Sequence, residues 1–519
     1  MPVRSALPAR RCALPRRGAR TAAPCRPVGS PVGLSFRRAG PGPRADPRRF
    51  RRLDIAQRIG KPTVDHTLLS IARYASAQRW ESLPDSVATQ AKSVTLDALG
   101  CGLGGLDGPP AQIARKLLPA SDPESTGGGV AFGSGPTGSA DLAAFANTCA
   151  IRFLDFNDFY PGGHPSDMLG AMLALGARPG VTGRAFLTGV VVAYEVSMRL
   201  ADATQLREKG WDQGYAIGLG SVAGLGAMLG YDEATIRDAL AITAVSNIPL
   251  RNTRAGLLSM WKGAATAAAV RNATFAIQLA GEGMTGPDDP IEGRHGLWDL
   301  VTGRFTLDHF PVAEEDFRIL RTSFKPWPVE YNATAAVAAA VQLREKVSLQ
   351  DVEKISIGTH WSSWHEIGSD PLKWDPRTRE TADHSMPYLF TRAMLDGTIT
   401  EATYEPESYL DPVLRPLMQR IGVHLDDESE KAFPEHIRLA VSARTRTGET
   451  HHVLIVDPPG HWRNPLTGDQ LREKFLGLVT PVLGEAEAGA LAAFWLSVEE
   501  HDELVPGLVL SGASMPVVQ

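Results

Sequence analysis

The sequence predicts a mainly α protein, a large helical domain into which a smaller α+β unit is inserted. Three observations carry that expectation. From Asp65 to about Leu320, apolar residues recur every three to four positions, the period of helices with a buried face. After Arg321 the pattern turns to alternation, as in VEKISIGTHW. From Asp469 to Glu500 the helical period returns, so the α+β stretch is an insertion.

Along the chain, residues 1–52 come first, with 14 arginines, one acid (Asp46) and many Pro, Ala and Gly. They show no periodicity, so they read as disordered. A transit peptide, a basic arm for polyanions and upstream sequence translated through a misplaced start all fit such a composition. Residues 62–321 form the first part of the helical domain. HTLLSIARYASA, VATQAKSVTLDALGCGL, SADLAAFANTCAIRFLD, GRAFLTGVVVAYEVSMRLADA, EATIRDALAITAVSN and WKGAATAAAVRNATFAIQLAGEG are its helices. GLGSVAGLGAMLG adds small residues that let helix backbones approach closely, although each Gly costs about 1 kcal/mol relative to Ala. The α+β unit covers 322–458. TAAVAAAVQLREK and MPYLFTRAMLDG are its helices; VEKISIGTHW is a strand with Ile355, Ile357, Thr359 and Trp361 on one face. IRLAVSARTRTGETHHVLIV gives two more strands joined by a turn near Thr447-Gly448. Residues 459–519 complete the helical domain.

The whole chain of 519 residues is 43% hydrophobic and 21% charged, as in ordinary globular proteins. No apolar run approaches the roughly 18–20 residues that span a bilayer, so no membrane partner is expected. Setting residues 1–52 aside removes 14 of 53 basic residues and one of 58 acids, leaving 39 against 57, a net charge near −18. That balance excludes nucleic acid as an expected partner. Only Cys101 and Cys149 remain in the body, too few for a disulfide framework or for the usual thiolates of an iron–sulfur cluster. A reducing, cytoplasmic setting follows.

Four stretches concentrate chemistry. RFLDFNDFYPGGHPSDML (152–169) sets Asp155 and His164 on either side of a Pro-Gly-Gly turn, with Ser166 placed to cap a helix starting at about Asp167. A polar turn accounts for Asn157, Pro161, Gly162 and Gly163, but less well for His164 at the mouth of an apolar run. KGWDQGYAIGLGS (209–221) holds Asp212, which as a bare loop residue would be a helix N-cap. PLRNTRAGLLSMWKGAATAA (249–268) holds Arg251, Arg254 and Lys262, the last entering an apolar helix at the end a cation does not favour. A snorkelling surface lysine and an anion-binding lysine both fit that placement. SFKPWPVEYN (323–332) and TADHSMPYLF (381–390) carry Lys325, Glu330, His384 and Tyr388 in proline-stiffened loops. No zinc spacing, P-loop, GxSxG elbow or Rossmann fingerprint is present; GLGSVAG lies in helical surroundings.

Taken in order, LDFND…HPSD, GWDQ, LRNTRAGLLSMWKG, GMTGP, SFKPWPVEYN and ADHSMPYL…LDG resemble the MmgE/PrpD family over about residues 65–500. That family includes 2-methylcitrate dehydratase and cis-aconitate decarboxylase. The resemblance implies that the α+β unit is a lid, that the site lies between the two parts without cofactor or metal, and that the protein is a homodimer. It implies Asp155, His164, Asp212, Lys262, Glu330 and Tyr388 as catalytic positions, with Arg251, Arg254, Lys262, Lys325 and His384 holding the substrate. The substrate would be a small polycarboxylate such as 2-methylcitrate, losing water. Asp212 and Glu330 stand where the decarboxylases carry histidines, which favours the dehydratase branch. The turn before His164 is shorter than the KEPA-containing turn of dehydratases, which leaves the exact substrate open. A cis-aconitate-type decarboxylase, an amino-dicarboxylate epimerase and an inactive binding homologue are the other readings.

The chemistry fits those residue types. Removing a proton beside a carboxylate adds charge to a group already negative, so preorganised cations are the main lever. A base must reach the C–H, and an acid must protonate the departing hydroxide. Asp155, Asp212 or Glu330 are candidates for the base, His164 or Tyr388 for the acid.

Overall fold

A computed structural model describes residues 64–120, 128–204, 206–255 and 258–508. The Arg-rich segment 1–52 lies outside these described residues.

The first helices are α1 (His66–Ala77), α2 (Asp85–Gly104), α3 (Ala140–Phe153), α4 (Gly183–Thr204), α5 (Gly214–Met228), α6 (Glu233–Ser246) and α7 (Trp261–Gly281). Asp65 shows how local sequence starts an element and ties it to the fold. One carboxylate oxygen caps α1 through the Leu68 amide, and the other accepts the Ile291 and Glu292 amides at 2.8 and 3.1 Å. The Gly/Ala-rich α5 is buried almost all round, as a helix with no polar face must be. It lies against α4 so closely that a Cβ on Gly189 would sit 2.7 Å from the Gly224 carbonyl oxygen. A short hairpin, β1 (Gly129–Ala131) and β2 (Gly135–Thr137), packs at the edge of these helices.

The α+β unit contains α8 (Ala333–Arg344), α9 (Met386–Asp396) and strands β3 (Val352–Thr359), β4 (Ile421–Leu425), β5 (Arg438–Thr445) and β6 (Thr450–Val456). Its sheet runs β4-β3-β5-β6, parallel between β3 and β4 and antiparallel elsewhere. Ile355, Ile357, Leu439, Val441, Val453 and Ile455 are buried with α8 and α9 in one core. The β5–β6 turn uses Gly448 at φ +92°, where a side chain would be strained. Two expectations change. β3 stops at Thr359, and Trp361, 45% exposed, instead opens a helical turn with its amide donating to Glu430. β4 is not among the expected strands: IGVHL alternates Ile421, Val423 and Leu425 over only five residues, too short a run to stand out, and only Ile421 is fully buried.

Helices α10 (Gly468–Leu483) and α11 (Glu485–Leu496) send Leu471, Phe475, Val479, Leu491 and Trp495 back into the first core, beside Leu68, Ile71 and Leu99. The chain passes between the cores at 323–331. There Phe159 pairs with Ser323 through the backbone and stacks on Tyr331 at 3.8 Å.

Candidate active site

Helix α3 ends at Phe153, and two residues later Asp155 adopts φ +48°, a left-handed conformation that Asp tolerates better than most side chains. The carboxylate is buried among cations. Lys325 Nζ donates to its Oδ1 at 2.7 Å and to its carbonyl at 2.6 Å; Lys262 Nζ reaches Oδ2 at 3.0 Å; Arg152 Nη1 reaches Oδ1 at 3.3 Å. Burial alone would raise the pKa of Asp155, but Lys262, Lys325 and Arg152 outweigh it and hold the carboxyl well below its usual range. Asp155 is therefore the anion that gathers the lysines, and in this state a poor proton acceptor.

Lys262 occupies the second position of α7 and is buried. Its ammonium lies 3.0 Å from Asp155, 3.1 Å from Asp383 Oδ2 and 3.4 Å from His384 Nδ1. Asp383 and His384 come from the α+β unit, so Lys262 joins the two parts. His384 Nδ1 lies 2.6 Å from Asp383 Oδ1. Burial and the neighbouring Lys262 charge push His384 down to about 4, so it is neutral.

His164 follows the turn. Its Nδ1 lies 2.7 Å from the Asp158 carbonyl oxygen. A carbonyl only accepts, so Nδ1 carries the proton and Nε2 keeps a lone pair. Burial, then the charges of Arg152 and Lys325, push its pKa well below the usual imidazole range. His164 is thus a neutral ring whose Nε2 carries a lone pair rather than a proton, which does not fit the acid role open to it from sequence. Ser166 does not cap a helix as expected. It lies within a 3-10 turn, Pro165–Met168, and its hydroxyl donates to Asp158 Oδ1 at 2.5 Å. Asp158 also accepts the Tyr194 hydroxyl, and burial raises it to about 7.

Glu330 accepts from the Asn332 amide at 2.8 Å and from its side chain at 3.0 Å. Burial pushes it up to about 7; Lys325 opposes this, while Glu366 and Asp155 reinforce it. Asp212 is pinned by Arg254, Nε to Oδ2 at 2.6 Å, and accepts the Gly214 amide at 3.2 Å. Burial would raise it, but Arg254 lowers it, so Asp212 is a paired carboxylate. Arg251 pairs with Glu366 of the α+β unit.

The structure therefore brings Asp155, Lys262, Lys325 and His384 into contact, sets His164 and Glu330 within electrostatic reach of them, and places Asp212, Arg254 and Arg251 in ion pairs alongside. Tyr388 is not brought there. Its hydroxyl donates to the Thr403 carbonyl in the second core, among Arg392, Asp396, Arg415 and Tyr409. The cause is helical phase: Ser385 caps α9, and Tyr388 then falls on the face turned to the core. Sequence reasoning missed Asp383, Arg152 and Glu366. The first two lie inside stretches already singled out, beside His384 and Asp155; Glu366 stands in WSSWHEIG, which carries no motif.

Asp155, Asp383 and His384 also form a group whose ligand atoms lie within 4.8 Å of one another, a spacing that could hold a divalent ion. The Lys262 ammonium already stands against all three, so a cation there would have to displace it. Cys101 and Cys149 are buried thiols, Cys149 pushed up to about 12, and offer no thiolate. A cavity of about 400 Å3 opens between the parts, lined by Phe159, Gly162, Arg207, Asp212, Asn332 and Trp361 among others. A larger one of about 650 Å3, walled by Arg79, Arg184 and Glu233, holds none of the predicted residues. Among the described residues no helix is long and apolar enough to cross a membrane.

Fold and site together define a class of two-part, mainly helical proteins with lysines, acids and imidazoles buried where the parts meet. The chain belongs to the MmgE/PrpD family. The family's N-terminal domain matches residues 69–309 and its C-terminal domain residues 327–499. The 2-methylcitrate dehydratase of Cupriavidus necator is 30% identical over 455 residues, 80% of this chain and 90% of the relative. That of Salmonella typhi is 29% identical over 454 residues, with the same shares. The cis-aconitate decarboxylase of Homo sapiens is 25% identical over 465 residues, 84% of this chain and 92% of the relative.

Proposed function

We propose that the protein is a hydro-lyase that needs no cofactor and removes water from 2-methylcitrate or a similar hydroxy-polycarboxylate. The observation that carries this reading is the pairing of a cation-rich buried cluster with two groups suited to proton transfer. Lys262, Lys325 and Arg152 supply the positive field that an eliminating carboxylate requires as charge builds on it. Neutral His164 presents Nε2 as a base. Glu330, held near 7, is protonated in part at neutral pH and serves as acid.

In this scheme the proton beside the substrate carboxylate passes to His164 Nε2. The C–H electron pair becomes the new double bond, the C–O bond breaks, and the hydroxide leaves as water with the proton from Glu330. Histidinium and carboxylate then return to their starting forms by exchange with solvent. Asp155 and Asp212 act as counter-ions that fix Lys262, Lys325 and Arg254 in place. Asp383, His384 and Lys325 reach the cluster from the far side of the junction, so the α+β unit works as a lid whose closure completes the site and excludes water. The proposal includes a homodimer, as the family resemblance implies, and a cytoplasmic setting. Turnover of 2-methylcitrate, citrate and smaller hydroxy acids, followed by the ultraviolet absorbance of the unsaturated product, tests the reading. Release of carbon dioxide from cis-aconitate, without water loss from any hydroxy acid, would replace it by a decarboxylase.

A further inference from the structure

Three arginines meet electrostatically at the junction between the helical body and the α+β unit, and two of them are engaged. Arg254 pairs with Asp212, and Arg251 with Glu366. Arg207 is the third. It lies on the short turn Leu206–Lys209 that follows α4 and lines the cavity of about 400 Å3. Its Nε is buried with no hydrogen-bond partner, and among the described residues no carboxylate stands within ion-pair distance of its guanidinium. Two acids of the cavity wall that could have served are committed elsewhere. Asp202 accepts the Tyr160 hydroxyl and Arg318, and Glu430 accepts the Trp361 amide. Burial, followed by repulsion from Arg251, lowers Arg207 to about 10, so it still carries its charge at neutral pH. Glu366 and Glu330 offset its charge only from a distance, and a buried guanidinium nitrogen with no hydrogen-bond partner is an unfavourable arrangement that a bound anion relieves.

The rest of the cavity says what shape of anion fits. Phe159 and Gly162 belong to the turn that carries His164. Asn332, whose amide and side chain hold the Glu330 carboxyl, lines the same space. The cavity volume falls in the roughly 300–1,000 Å3 range of small-molecule pockets. We propose that Arg207 is a specificity-determining residue, gripping one carboxylate of a polycarboxylate ligand seated in this cavity while the ligand reaches toward His164 and Glu330. The fork of a guanidinium suits a carboxylate, with two parallel N–H donors for two oxygens. The assignment of the reacting end rests on the hydro-lyase reading; the carboxylate grip does not.

The test separates the two by using a ligand that cannot react. Tricarballylate, a tricarboxylate with no hydroxyl to lose, is titrated calorimetrically into the wild-type protein, Arg207→Gln and Arg207→Lys, with melting temperatures recorded beside. Loss of a charge-assisted pair should raise Kd by about tenfold to a hundredfold in Arg207→Gln. Arg207→Lys should fall between, because an ammonium keeps the charge and loses the fork. In turnover, KM should rise by a similar factor with a smaller change in kcat. A folded Arg207→Gln protein that binds tricarballylate as tightly as wild type overturns the proposal, as does a wild type that does not bind it. If Arg207→Gln fails to fold, Arg207→Lys decides: a severalfold rise in Kd supports the grip, and an unchanged Kd refutes it. Binding that depends on Arg207, with no elimination from any hydroxy acid, would sink the hydro-lyase reading and leave this one standing.

Discussion

Replacing Lys262 by Met keeps most of the side chain's stem and removes its charge. Packing alone would make that change nearly silent. The structure predicts otherwise, because the ammonium stands between the Asp155 and Asp383 carboxylates at 3.0 and 3.1 Å, with every partner buried. Asp155 would keep Lys325 and Arg152 as side-chain partners, whereas among the described residues Asp383 would keep His384 alone within hydrogen-bond distance, with Arg379 and Lys373 acting only from further away. Breaking a buried pair by removing one partner costs about 3–5 kcal/mol. The deficit should depend on pH through His384. In the wild type, burial and Lys262 hold this ring down to about 4. Without Lys262, the two carboxylates raise it, and histidinium can take over part of the lost charge. A histidine whose folded pKa is raised contributes stability below its unfolded pKa and loses it as pH climbs through the folded value. The gap between variant and wild type should therefore be near its full size at about pH 8 and clearly smaller at about pH 5.5. Denaturant titrations at both pH values measure it. A gap below about 1 kcal/mol at the higher pH, or one that does not change with pH, would refute the buried-junction account.

Four further outcomes follow from the same geometry. Turnover should fall as pH rises through about 7, where Glu330 loses its proton, and Glu330→Gln should remove that limb together with most of kcat. Tyr388→Phe should leave kcat near wild type and cost about 1–3 kcal/mol of stability, because the Thr403 carbonyl loses its donor; a large kcat loss in a stable protein would return Tyr388 to the site. Prolonged dialysis against EDTA should not change turnover, since the Lys262 ammonium takes up the space between Asp155, Asp383 and His384; activity lost and then restored by one divalent ion would contradict this. A saturating tricarboxylate should protect amides in 323–332 and 381–390 from hydrogen exchange, and unchanged exchange there would remove the lid.

Much of the architecture was legible because it rests on periodicity and small residues. The apolar spacing of α1, α3 and α7 gave those helices, and the Gly/Ala run of α5 foretold its close approach to α4. The β5–β6 hairpin was readable from alternation around Thr447-Gly448. What escaped was decided by tertiary contacts. β4 alternates over only five residues, too few to stand out, and Trp361 leaves the strand because its amide finds Glu430. At the site, the charged residues were visible but their roles were not. Sequence left Asp155, Asp212 and Glu330 open as the base, and only the structure sets three cations against Asp155. It left His164 and Tyr388 open as the acid, and only the structure sets His164 Nδ1 against a carbonyl oxygen. Tyr388 matched a motif, and only its phase on α9 shows that its hydroxyl turns into the second core.

The central claim is that His164 accepts a proton from a substrate held in a cation-rich site. Steady-state turnover of 2-methylcitrate by the wild type and by His164→Gln, with melting temperatures measured on the same samples, tests it most directly. Gln keeps the ring's approximate reach and offers no titratable nitrogen. The account predicts a folded protein with kcat lowered by about 10²–10⁴ and KM changed much less. A folded His164→Gln protein with wild-type kcat would contradict it.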